Sequence, residues 1–248
     1  MAVAVITGVS RRIGIGAAVA RRLAEAGWDL FLHSWSPHDA EQPWGADPEG
    51  AAAIVADLRT RVRVEHLVAD LADPDAPAQL VAAAEGAYGR VDALVANHAR
   101  SSVATLEELT AAELDFTYAV NTRATLLLVK EFAARCPGPG RVVLMTSGQH
   151  RGPMPGELPY IASKGALHQV TASLAAHLAP RGITVNAVDP GATDTGYADA
   201  AAHAAVLALE PMGRWGEPDD AARLIAWLAS DAARWVTGQV LVSNGGGP

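Results

Sequence analysis

The chain has 248 residues, half of them hydrophobic, and carries 19 Lys and Arg against 27 Asp and Glu for a formal charge of −8. With 19% charged residues and no low-complexity tract, disorder is excluded and there is apolar material for a substantial core. The acidic balance opposes general binding of nucleic acid or anionic lipid, and the lone Cys136 excludes an intrachain disulfide and a cysteine-based metal cluster.

The first strand-like run is "VAVIT" (3 to 7), followed by a helical stretch, "GAAVARRLAEAG". The pattern then alternates through "DLFLH" (29 to 33), "VEHLVA" (64 to 69), "DALVAN" (92 to 97), "RVVLMTS" (141 to 147), "ITVNAV" (183 to 188) and "GQVLVS" (238 to 243), with alanine-rich helices between. Several of these runs lack polar alternation, as expected of strands covered by helices on both faces. The expectation is an α/β fold, a doubly wound parallel sheet of about seven strands in a single domain over 1–248. The helix after the fourth strand reads as one unbroken stretch, "AAELDFTYAVNTRATLLLVKEFAARC". Two irregular segments stand out: an enlarged loop at 34–50 and a loop following the sixth strand, at about 189–212. In an open parallel sheet, ligands sit beyond the carboxyl ends of the strands, where both loops begin. The start, "MAVAVITGVSRRIG", has no basic region before its apolar run, and no run approaches the roughly 18 residues that cross a bilayer. A cytoplasmic location without a membrane partner is expected.

"VITGVSRRIGIGAAVARRLAEAG" sets Gly8, Gly14 and Gly16 between a strand and a helix. Glycine lets such a turn adopt positive φ and lets phosphate oxygens approach the backbone, while the helix N-terminus attracts the anion. Further on, "YIASK" places Tyr160 and Lys164 four residues apart, hence on one helical face. Pro159 suits the first turn of that helix, and Pro180 and Gly182 mark its far end. A nearby ammonium favours a phenolate, so Lys164 is expected to lower the Tyr160 pKa from its ordinary value of about 10.

Together these segments resemble the short-chain dehydrogenase/reductase family over essentially the whole chain. Thr7 and Gly8 open a turn similar to the family's T-G-x-x-x-G-x-G, with Gly14 at the last glycine and Arg12 in place of the middle one. The family's catalytic pattern falls on Asn121, Ser147, Tyr160 and Lys164. The resemblance implies a Rossmann-like fold and reversible hydride transfer between a nicotinamide and a carbonyl carbon. Tyr160 would act as acid or base, Ser147 would hydrogen-bond the substrate oxygen, Lys164 would hold ribose hydroxyls, and Asn121 would position a relay water.

It further implies dinucleotide contacts from Gly8, Ser10, Arg11, Arg12, Gly14 and Ile15 in the turn, and from His33 and Ser34 at the second strand's end. Asp70 and Leu71 would lie near the adenine. Asn97 keeps the second asparagine of the family's Asn-Asn-Ala-Gly, with Ala96, His98 and Ala99 departing from it as a tolerated variation. Pro190, Gly191, Thr193 and Thr195 match the segment that faces the nicotinamide amide. No carboxylate closes the second strand, and Arg11 resembles an arginine that faces the extra phosphate of NADP, so NADP(H) is preferred over NAD(H). Asp39 and Glu41 in the enlarged loop count against that choice. His150 is read as lining the substrate mouth.

The nearest look-alikes within the family are 3-oxoacyl-carrier-protein reductases, so a β-keto thioester is one candidate among carbonyl and alcohol substrates. The helices around 104–135 and 159–179 are where relatives assemble, which points to a homotetramer. A dinucleotide-binding redox sensor without turnover is the alternative. No G-x-S-x-G, P-loop or H-E-x-x-H string occurs, which removes the simplest hydrolase and metalloprotease readings.

Overall fold

The computed structural model describes residues 1–247. Seven strands form one fully parallel sheet: β1 (Val3–Ile6), β2 (Asp29–Ser34), β3 (Val64–Val68), β4 (Ala93–Ala96), β5 (Arg141–Met145), β6 (Thr184–Asp189) and β7 (Val240–Val242). Each coincides with an expected run to within two residues at either end. Their order is β3-β2-β1-β4-β5-β6-β7. From β1 the chain winds outward to β3, then returns to pair β4 along the other side of β1. That reversal opens a crevice at the carboxyl ends of β1 and β4, where an α/β sheet binds its ligand.

The strands read as continuous apolar runs because alternate side chains feed two separate cores. Ala4, Ile6, Leu30, Leu32 and Val95 face the helices α1 (Ile15–Glu25), α3 (Gly50–Leu58) and α9 (Pro218–Ala229). Val5, Phe31, Leu94, Val142 and Leu144 face α4 (Ala76–Tyr88), α6 (Ala124–Arg135) and α7 (Leu158–Leu178). Each face hides its own hydrophobic layer, so no strand needs a polar side.

Two segments differ from the pattern expected of them. The long helix after β4 is broken into α5 (Ala111–Tyr118) and α6 by a wider π-helical turn, Ala119–Arg123. Apolar periodicity cannot reveal it, because the turn is held by tertiary hydrogen bonds at Val120, Asn121 and Thr122. The enlarged loop carries a short helix, α2 (Pro37–Glu41), and folds back so that the Trp44 indole donates to Asp39 at 3.0 Å. The loop after β6 holds α8 (Ala200–Leu207).

The first glycine-rich turn leaves no room for a side chain where α1 crosses β1. A Cβ on Gly16 would meet the Gly8 carbonyl oxygen at 2.5 Å and Asn97 Nδ2 at 2.7 Å, whereas one on Gly86 in α4 would meet nothing within 4 Å. Gly16→Ala is therefore expected to destabilise the chain by about 1–3 kcal/mol, while Gly86→Ala stabilises it by about 0.4–1 kcal/mol. Urea unfolding of the two variants beside the parent checks both signs.

Candidate active site

Gly14 caps α1 without a side-chain hydrogen bond, and the helix's first turn carries no acidic residue. Its free N–H groups and positive end are thus available to an anion. Gly8 sits at φ +73°, and a Cβ there would come within 2.8 Å of His98 Cα, so only glycine keeps the turn and the β4 end in contact. Arg12 is not in the left-handed region, since no non-glycine residue has positive φ among the described residues. Its guanidinium pairs with Asp47 at 2.9 Å and also with Glu49, both from the enlarged loop. This pairing holds the Asp47 carboxyl well below the usual carboxylate range. The arginine at the altered glycine position therefore clasps the loop, and its guanidinium is already engaged where a cofactor contact was expected of it.

A cavity of about 400 Å³ lies beside this turn. Gly8, Ser10, Arg11, Gly14, Ile15 and His33 line one side, Asp70 and Leu71 the end of β3, Asn97 the end of β4, and Thr195 the loop after β6. His33 contributes its ring surface, for both nitrogens are engaged: Gly8 N–H donates to Nδ1 at 3.3 Å, and Nε2 meets the Ala69 carbonyl at 2.9 Å. Ser34 turns its hydroxyl to His66 at 2.8 Å, which takes it away from the contact expected of it. Trp35 and His38 line the cavity from the same segment. His38 Nε2 accepts the Ser101 N–H at 3.2 Å, so the loop after β2 reaches the loop after β4.

The residues of the expected catalytic pattern lie farther along the sheet edge. Ser147 follows β5, and Tyr160 and Lys164 stand one turn apart near the start of α7, whose first turn includes Pro159. A bridge between Ala104 and Glu157 ties the start of α7 to the loop after β4. Lys164 is only 2% exposed. Its Nζ donates to the Met145 carbonyl at 2.9 Å and lies 5.7 Å from the centre of the Tyr160 ring. Burial lowers the Lys164 pKa to about 8, so the ammonium persists at neutral pH.

The Tyr160 phenol is pushed well above its ordinary value, chiefly by burial, with Glu157, Tyr197 and Asp189 adding to the rise and a hydrogen bond with Ser147 opposing it. The expected lowering by Lys164 is overturned. Desolvation of the phenolate dominates, and Lys164, whose Nζ faces the Met145 carbonyl, does not offset it.

Asn121 is fully buried in the π-helical turn. Its Oδ1 accepts the Arg100 N–H at 2.7 Å, and its Nδ2 donates to the Arg100 carbonyl at 3.0 Å and to Ser163 Oγ at 2.9 Å. Thr193 is also buried, with its hydroxyl donating to the Pro190 carbonyl at 3.1 Å, while Gly191 N–H donates to Asp189 at 3.0 Å. These bonds lock the loop after β6, leaving Thr195 as its hydroxyl at the cavity. His150 is exposed, and its Nδ1 meets the Ser147 carbonyl at 3.2 Å.

Comparison with known proteins agrees with this layout. A family model described as enoyl-(acyl carrier protein) reductase matches residues 8–247. An uncharacterized oxidoreductase of Bacillus subtilis, YjdA, is 42% identical, with 98% of this chain and 96% of that protein covered. A short-chain dehydrogenase from Burkholderia cenocepacia, solved with NADP, superposes with a TM-score of 0.87 at 36% identity, covering 98% of this chain and 96% of the other. A blue fluorescent protein from a metagenomic library, solved with NADPH, gives 0.89 at 35% identity, covering 99% and 97%. The chain belongs to the short-chain dehydrogenase/reductase family. It is an oxidoreductase.

Several site residues of this short-chain dehydrogenase/reductase were not apparent from sequence. Trp35, His38, Arg100 and Phe116 line the cavity from segments beyond β2 and β4. Position after a strand end was the available signal; which side chains turn inward depends on contacts such as Arg100 with Glu113 and Thr117. His98, read as a tolerated variation, is buried and bonded through both ring nitrogens.

Burial lowers the pKa of His33 to about 4 and of His98 to about 3, from an ordinary 6.5. Between those limits the unfolded chain binds more protons than the folded one. The stability held by these neutral rings is complete above about pH 6.5 and declines as pH falls toward the folded values. Urea unfolding should show stability dropping between about pH 7 and pH 5, above the range where paired carboxylates protonate. A flat profile over that interval would contradict the assigned neutral state.

Proposed function

We propose that this oxidoreductase uses NADP(H) to interconvert a carbonyl and a secondary alcohol, with Tyr160 as the acid–base group. The observation that carries the reading is the buried Lys164 ammonium beside the Tyr160 ring, with the Ser147 hydroxyl close enough to the phenol to oppose its upward shift. A redox sensor needs no such proton donor.

The residues present fit a dinucleotide. The uncapped start of α1 suits a pyrophosphate, and the adjoining cavity offers Asp70 and Leu71 to an adenine. Arg11 lines that cavity and forms no ion pair among the described residues, while Arg12 is engaged by Asp47 and Glu49. The half-buried, unpaired Arg11 at the cavity wall supports recognition of a 2′-phosphate. Asp39 and Glu41 also line the cavity, and Asp39 is partly satisfied by the Trp44 indole.

Bound there, the nicotinamide supplies the hydride donor or acceptor. Tyr160, a phenol already protonated at neutral pH and pushed higher still by burial, is in the form that gives a proton to the oxygen of a carbonyl being reduced. Ser147 hydrogen-bonds the same oxygen. Lys164, held at one proton by Met145, has further protons with which it would hold the ribose hydroxyls of the bound cofactor. Asn121, Pro190, Gly191 and Thr195 complete the surroundings expected from the family.

A 3-oxoacyl thioester is the substrate class we favour, and a cytoplasmic homotetramer is the assembly. The exposed Leu114, Phe116 and Tyr118 of α5 support a subunit contact on that helix, which light scattering of the purified chain tests.

Tyr160→Phe should reduce kcat by about 10²–10⁴-fold with little change in the dissociation constant for NADPH; undiminished turnover refutes the role. Arg11→Ala should lower kcat/KM with NADPH by about ten- to a hundredfold and leave NADH almost unaffected. If the parent prefers NADH, or the loss is equal for both cofactors, the 2′-phosphate assignment fails.

A further inference from the structure

His98 links two parts of the proposed site, the glycine turn and the π-helical turn. It follows β4 and is 7% exposed. The Thr7 hydroxyl accepts the N–H groups of Asn97 at 3.0 Å and His98 at 3.2 Å. Its own proton then goes to His98 Nδ1 at 2.7 Å, the Val95 carbonyl being more distant at 3.4 Å. With Nδ1 accepting, the ring's proton sits on Nε2, which donates to the Val120 carbonyl at 3.0 Å.

That carbonyl belongs to the π-helical turn. There the Ala124 N–H reaches back five residues to Ala119, a wider turn that disturbs the regular ladder and leaves room for side-chain donors to the carbonyls that follow. His98 serves Val120, and the Thr125 hydroxyl serves Asn121 at 2.8 Å. Asn121 in turn donates to Ser163, and Thr122 donates to the Ser163 carbonyl at 3.0 Å, one residue before Lys164. A continuous set of bonds runs from the glycine turn through the imidazole to the helix bearing the acid–base pair.

We infer that His98 is a positioning residue that braces the π-helical turn against Thr7 and thereby sets Asn121 and Lys164 in register with the cofactor turn. This inference rests on the oxidoreductase reading above for its effect on turnover. The brace itself is a matter of hydrogen bonding and can be read without activity.

The test uses His98→Ala, which removes the donor to Val120, and His98→Gln, which restores an N–H donor at similar reach. In His98→Ala, amide hydrogen exchange over 117–125 should accelerate, and kcat with NADPH should fall about ten- to a hundredfold with a larger solvent deuterium isotope effect. KM for NADPH should stay within about twofold. His98→Gln should recover most of the protection, rate and isotope effect. Unchanged exchange over 117–125 in a folded His98→Ala, or equal losses in Ala and Gln, would overturn the brace. If His98→Ala does not fold, His98→Gln decides: near-parental exchange and isotope effect support the inference, and their loss overturns it. A parent protein with no turnover of any carbonyl would defeat the oxidoreductase chemistry instead, and the exchange comparison would still judge the brace.

Discussion

A single ammonium, Lys164, is held in the interior where α7 crosses β5. Removing a cation from water costs several kcal/mol even after relaxation, and its hydrogen bond to the Met145 carbonyl offsets only part of that. The loss is visible in the pKa, drawn down to about 8 by burial. Such a group persists because the surrounding fold over-determines its position. The packed face of α7 includes Pro159, Ser163, Leu167, Thr171 and Ala175, and two bonds from the π-helical turn meet Ser163 directly before it.

The same constraint explains the state of the tyrosine. A phenol in this environment stays protonated, and the proximity of a cation does not reverse that. Burial and the neighbouring Glu157, Tyr197 and Asp189 act together here, and only the Ser147 hydroxyl opposes them. The pair is thus arranged with a neutral acid and a charged neighbour at neutral pH, the combination suited to giving a proton to a developing alkoxide.

The cofactor end is organised by a different economy, in which backbone and neutral rings occupy the places where charge would be expensive. Gly8 and Gly16 allow β1 and α1 to approach Asn97, whose amide donates to the Thr7 and Gly8 carbonyls at 3.1 Å. His33 and His98 then satisfy Gly8, Ala69, Thr7 and Val120 as neutral imidazoles. Their edge-to-face rings stand 6.5 Å apart, so charging one disfavours charging the other. Outside this neutral layer, Arg12 ties the enlarged loop and Arg11 borders the cavity.

The sequence by itself determined the strands, their parallel class and the order of the Asn121, Ser147, Tyr160 and Lys164 pattern. Two cores on one sheet require strand runs without polar alternation, and the spacing of Tyr160 and Lys164 follows from helical geometry. It also marked the departures at Arg12 and His98, because each puts a large side chain where the family pattern has a small one. What those side chains do was decided by tertiary structure. Asp47 lies thirty-five residues from Arg12 and Val120 twenty-two from His98, and no local period encodes such meetings. The π-helical turn was hidden for the same reason, since its stability comes from donors on other segments. So was the direction of the Tyr160 shift: residue spacing states that a cation is near, whereas the balance between attraction and desolvation depends on how much water the completed fold excludes.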